Sequence, residues 1–98
     1  MSLDNMTNKV KTLAATKGGA IKSKIKFQFD EGCIYLDDTI SPTVVSNEDS
    51  AADCTVKVSL SNFEKLINGD MNAMGAFMMG KLKVEGDMSV AMKLSSLF

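Results

Sequence analysis

The chain has 98 residues, of which 45% are hydrophobic and 23% charged, so it is long and apolar enough for one globular domain with its own core. Eleven Lys and Arg against twelve Asp and Glu leave a net charge of −1, which gives no basic surface for a nucleic-acid partner. Histidine is absent, and with it go the Ser-His-Asp and Cys-His nucleophile systems and the usual zinc sites.

In chain order, Leu3 to Thr16 reads as a short helix. Val10, Leu13 and Ala14 fall at helical spacing, Met6 lies one turn earlier, and Gly18 and Gly19 form a stop. "AIKSKIKFQF" alternates strictly. Ile21, Ser23, Ile25, Phe27 and Phe29 share one face, and Lys22, Lys24, Lys26 and Gln28 share a wet one. The turn "DEG" leads into "CIYLDD", the returning strand of a hairpin. Pro42 and the polar run Ser46 to Ser50 break "TISPTVVSNEDSAA" into a loop or a short strand with turns.

"DCTVKVSL" alternates again, with Cys54, Val56, Val58 and Leu60 against Thr55, Lys57 and Ser59. Ser61 and Glu64 have capping-box spacing ahead of a helix striped by Phe63, Leu66 and Ile67 and ended by Gly69. Asn72 caps a second short helix carrying Met74, Phe77 and Met78 on one side, and Gly80 stops it. "KLKVEG" is a strand with Leu82 and Val84 inward. Asp87 caps a last helix whose stripe is Val90, Ala91, Leu94 and Leu97, broadened by Met88 and Met92. Strands early and helices late predict an α+β fold, a mostly antiparallel sheet covered on one face. One domain over residues 1–98 is expected, with no internal repeat.

Few stretches carry chemistry. Cys33 and Cys54 lack metal spacing and read as small buried apolar residues, reduced in the absence of a secretory signal. The glycines near Lys22 do not meet phosphate-loop spacing, and the acid pairs Asp37-Asp38 and Glu48-Asp49 lack calcium-loop spacing. No cofactor, metal or catalytic residue is read from the chain. Lys22, Lys24 and Lys26, with Lys81 and Lys83 on another strand, would form a basic patch if those strands were neighbours. What stands out is Met71 to Leu94, which holds six of the eight methionines. Methionine fills irregular cores, and it also lines sites whose contents vary in shape. Composition alone favours core filler.

The blocks "ADCTVKVS" (52–59), Phe63 to Gly69 and "AFMMGKLKVEGDMSVAMKL" (76–94), in that order, resemble the sterol carrier protein-2 domain family. The last block follows the family pattern A-F-x-x-G-K-L-K-x-x-G-[DN]-x-x-x-A-x-K-L, and the likeness extends back to about Gly19. It implies a five-stranded, mostly antiparallel sheet with helices covering one face around an apolar cavity. It also implies non-catalytic binding and transfer of lipids: sterol, fatty acid or fatty acyl-CoA. The longer members have a longer first helical region and further C-terminal residues that cover the cavity.

The residues expected to bind ligand are Ile25, Phe27, Val56, Ile67, Met74, Phe77, Met78, Leu82, Met88 and Met92. The expected partners are a lipid ligand and, transiently, a membrane surface, with no nucleic acid; the oligomeric state is left open. The alternative is a ligand-free accessory or dimerisation module with a filled core. No apolar run reaches the ~18 residues of a membrane span, and neither a secretory signal nor a C-terminal peroxisomal one is read. The expected location is cytoplasmic or otherwise intracellular.

Overall fold

A computed structural model of the chain describes residues 3–19, 21–40 and 42–93. Its elements are α1 (Leu3–Lys17), β1 (Lys24–Phe29), β2 (Gly32–Asp37), β3 (Val44–Ser46), β4 (Cys54–Val58), α2 (Leu60–Asn68), α3 (Ala73–Met78), β5 (Leu82–Gly86) and α4 (Met88–Met92). The strands form one sheet in the order β3-β2-β1-β4-β5. Only the β1–β4 pair is parallel, with Phe27 opposite Val56. The architecture is the expected α+β one. No helix among the described residues is long and apolar enough to cross a membrane.

One face of the sheet carries the core. Ile25 and Phe27 of β1 pair with Leu36 and Ile34 of β2, and Val56 and Val58 of β4 pair with Val84 and Leu82 of β5. Met6, Val10 and Ala14 of α1, Leu60, Phe63 and Leu66 of α2, Ala76 of α3 and Val90 of α4 all join them in a single apolar cluster. The Phe63 ring centroid lies 4.8 Å from that of Phe27 and 5.1 Å from that of Phe29. These tilted rings are within the range of favourable aromatic pairing.

The opposite face is not uniformly wet. Cys33 and Tyr35 point away from the core yet are buried, because the segment after β3 crosses them. The Cys33 thiol donates to the carbonyls of Asn47 and Glu48, and the Tyr35 hydroxyl donates to that of Ala51. Lys26, expected in solvent, ion-pairs with Asp49 at 2.6 Å, its side chain only 15% exposed. Lys57 pairs with Glu85 at 3.0 Å. The condition for a basic patch is not met, since β4 separates β1 from β5, and Lys26 is paired with Asp49.

Two boundaries shift. The first strand begins at Lys24, not near Ile21, because the chain before it wraps around a buried carboxylate. The amides of Gly19, Ile21 and Lys22 donate to Asp38 at 2.7, 2.9 and 2.8 Å, and the Thr43 hydroxyl donates to it at 2.6 Å. Lys22 takes a left-handed φ of 55° to do so. The first helix after β4 is capped by Ser59, whose hydroxyl accepts from the Asn62 amide at 3.1 Å, and not by Ser61. Starting there places Leu60 in the core beside Phe63 and Leu66. The caps at Asn72 and Asp87 form as expected. Leu94 and Leu97 lie outside the described residues.

Burial alone would raise the Asp38 pKa, but the bonds from Thr43, Lys22, Gly19 and Ile21 outweigh it and hold the carboxyl below its ordinary value. A carboxyl depressed in the folded state stabilises fully above its unfolded pKa of about 4, and that contribution fades as pH falls through the folded value. Asp38→Ala is expected to cost about 2–3 kcal/mol, because the buried Ile21 amide and the part-buried amides of Gly19 and Lys22 lose a charged acceptor. Urea unfolding at a series of pH values checks the sign. Asp38→Asn should lose less stability than wild type between about pH 5 and 2, and parallel profiles would refute the assignment.

Candidate functional site

A cleft of about 860 Å³ opens between the end of α1 and the segment before β3. Its wall is mixed, including Lys11, Lys22, Asp38 and Thr43, and the Asp38 carboxylate already holds four donors. Among the described residues no group of His, Cys, Asp and Glu side chains could hold a metal ion.

A smaller recess of about 120 Å³ has a different character. It is lined by Ala73, Met74 and Phe77 of α3, Leu82 and Val84 of β5, and Met88, Ala91 and Met92 of α4, with no polar side chain. Local chemistry places each wall. Asn72 accepts from the Met74 and Gly75 amides at 2.9 and 3.2 Å and starts α3 so that Ala76 enters the core. Met74 and Phe77 then flank Ala76 at the rim. Leu82 and Val84 face inward because they pair with Val58 and Val56. Asp87 accepts from the Ser89 amide at 2.9 Å and starts α4 with Val90 buried, which leaves Met88, Ala91 and Met92 beside the opening.

The turn between β5 and α4 is fixed by close approach. Gly86 has φ +100°, and a Cβ there would lie 2.5 Å from the Asp53 carbonyl oxygen. That same carbonyl accepts from the Asp87 amide at 2.9 Å, so α4 is tied to the start of β4.

Five of the ten residues expected at the site line this recess: Met74, Phe77, Leu82, Met88 and Met92. Ile25, Phe27 and Val56 do not. They are fully buried at mid-sheet, and the Phe63 ring packs on Phe27. Ile67 packs partly buried against the core. Met78 is 82% exposed and lies outside the recess, since α3 turns Ala76 inward and Met78 away. Ala73, Val84 and Ala91 also line the wall but were not singled out. Inward alternation in "KLKVEG" and the i, i+3 spacing of Met88 and Ala91 were the signals available for the last two.

The chain is similar to known proteins in sequence and in fold. The model of the SCP-2 sterol transfer family matches residues 3–98. Over 55 residues the chain is 47% identical to sterol carrier protein 2 of Homo sapiens, covering 56% of this chain and 10% of that protein. The chain thus spans about a tenth of the length of the curated relatives it matches. The apo form of Sterol Carrier Protein 2 from Yarrowia lipolytica has a TM-score of 0.74 at 23% identity, covering 96% of this chain and 84% of that one. Palmitated SCP2L2 from Aedes aegypti has a TM-score of 0.73 at 18% identity, covering 99% and 94%. At these identities the two structures share the fold.

Two glycines flanking the recess should respond oppositely to alanine. Gly86→Ala forces a left-handed φ and a backbone clash, and is expected to cost ~1–3 kcal/mol and to displace α4. Gly75→Ala lies within α3, where the nearest atom to a new Cβ is 3.9 Å away. It should stabilise by about 0.5–1 kcal/mol. Thermal unfolding of both variants checks this, and equal effects would show that the Gly86 turn does not hold α4.

Proposed function

The chain belongs to the SCP-2 sterol transfer family, and from that premise we propose that it is a non-catalytic lipid carrier whose ligand enters the recess between α3, β5 and α4. The observation that carries the reading is the wall itself, eight residues without a polar side chain, half-exposed at Met74, Phe77 and Met88. Such surface is driven to be covered, at ~25 cal/mol per Å² removed from water. A relative of the same fold is described as palmitated, which supports an acyl chain as one ligand class. Sterols and acyl-CoAs belong to the same proposal.

The recess at about 120 Å³ is below the ~300–1,000 Å³ of a site that encloses a whole small ligand. Binding therefore has to widen it. The means are at hand. Methionine side chains have three rotatable bonds, and α3 and α4 have only six and five residues. Delivery to and from a bilayer would bring this same rim against lipid.

Native mass spectrometry of the as-purified and delipidated protein, with titration of a fluorescent fatty acid, tests the reading. One lipid per chain that copurifies or rebinds is expected. Ala91→Trp, which grows into the recess, should weaken the probe at least tenfold. The same variant should shift the unfolding midpoint by no more than about 5 °C, because Ala91 is only partly buried. Absence of any bound lipid, or full affinity in Ala91→Trp, would remove this site from consideration.

A further inference from the structure

The sulfur atoms of this chain are distributed unevenly with respect to water. Both thiols are buried. Burial pushes the Cys54 thiol up to about 11, with the Asp87 and Asp53 carboxylates adding to it. Burial, then the Asp49 carboxylate, likewise raises Cys33, against a lowering by Lys26. Both stay protonated at neutral pH, and a thiol in that form is a poor nucleophile. Met6 is 1% exposed in the core. Met74, Met88 and Met92 are 46, 46 and 62% exposed, and all three line the recess.

We propose that Met74, Met88 and Met92 are a reversible oxidation site through which a peroxide switches off lipid binding. The proposal rests on the reading that lipid occupies this recess. In the chemical step a thioether sulfur lone pair attacks one oxygen of hydrogen peroxide. An S–O bond forms, the O–O bond breaks, and the remaining oxygen leaves with both hydrogens as water. The sulfur loses two electrons, the peroxide gains them, and the product is a methionine sulfoxide that sulfoxide reductases return to the thioether.

The consequence follows from the other five lining residues. Ala73, Phe77, Leu82, Val84 and Ala91 have no side-chain donor. A sulfoxide oxygen covered by an acyl chain or sterol at this wall would lose its water and find no side-chain replacement, which opposes burial of the lipid. The wall thus changes from uniformly apolar to one carrying up to three strong dipoles, with the fold around it unchanged. Met78 and Met79 are 82 and 71% exposed but do not line the recess, so their oxidation should leave binding unaffected.

The test uses the full chain, hydrogen peroxide and a fluorescent fatty acid. Peptide mapping should find sulfoxide at Met74, Met88 and Met92 while Met6 is spared, with the far-ultraviolet circular dichroism unchanged. Probe affinity should fall at least tenfold and return after treatment with the two epimer-specific sulfoxide reductases. Met78→Leu/Met79→Leu should bind like wild type and lose affinity on oxidation to the same degree. The switch is overturned if protein carrying the three sulfoxides binds as before, if the Met78→Leu/Met79→Leu variant is protected, or if reduction restores nothing. Untreated protein that binds no probe overturns the carrier reading and the switch together, whereas binding that survives oxidation overturns the switch alone.

Discussion

The parallel ladder between β1 and β4 is the constraint on which the rest of the molecule depends. It joins Ile25 to Cys54 and Phe27 to Val56 across a long excursion through β2 and β3. Parallel pairing needs such a connection, whereas the antiparallel β1–β2 pair needs only a turn. Once β4 lies beside β1, the chain leaves it directly into α2, and Phe63 arrives over Phe27 and Phe29. The sheet centre is thereby filled by the protein's own side chains. An apolar recess is left at the far edge, on the strand that β4 carries as its other neighbour.

Short helices keep that edge open. At 1.5 Å per residue, the six residues of α3 and the five of α4 are about 9 and 7.5 Å long. The five residues of β5 run about 17 Å. Neither helix covers the strand alone, and each is anchored to the core through one buried side chain, Ala76 or Val90. Asp53 supplies a further restraint. Its carboxylate accepts from the Lys24 amide at 3.0 Å, its amide donates to the Lys24 carbonyl at 2.9 Å, and its carbonyl accepts from the Asp87 amide at 2.9 Å. One residue therefore ties together the starts of β1, β4 and α4.

Much of this was legible in the sequence where one local rule decides the outcome. Strict alternation located β4 and most of β1, and Asn72 and Asp87 marked helix starts that the structure keeps. The errors arose where distant partners decide. Ile21 continues the alternating pattern, but Asp38 recruits its amide and the strand starts only at Lys24. Ser61 has a capping spacing as good as Ser59's, and burial of Leu60 selects the latter. The lysines of β1 read as solvated because nothing local shows that Asp49 and the segment around it will lie across them. Five of the expected residues line one recess because inward positions on "AFMMGKLKVEGDMSVAM" converge at one edge. Ile25, Phe27 and Val56 were inward as well, yet periodicity cannot distinguish a wall from a filled centre. That depends on where Phe63 lands.

Methionine at the rim then follows from an undersized recess. A wall of leucine or isoleucine would be as apolar, but branched side chains have fewer ways to clear a path, and short helices would have to move further to admit a ligand. Unbranched thioethers allow the opening to come from side-chain rotation while β5 and the Asp53 tether stay in place. Adaptability and oxidisability reside in the same atom. Met6 occupies the core without exposure, so methionine is compatible with protection in this fold. At Met74, Met88 and Met92 exposure is inseparable from lining an opening, so the property that suits the wall to ligands of different shape also leaves its sulfur atoms open to oxidation.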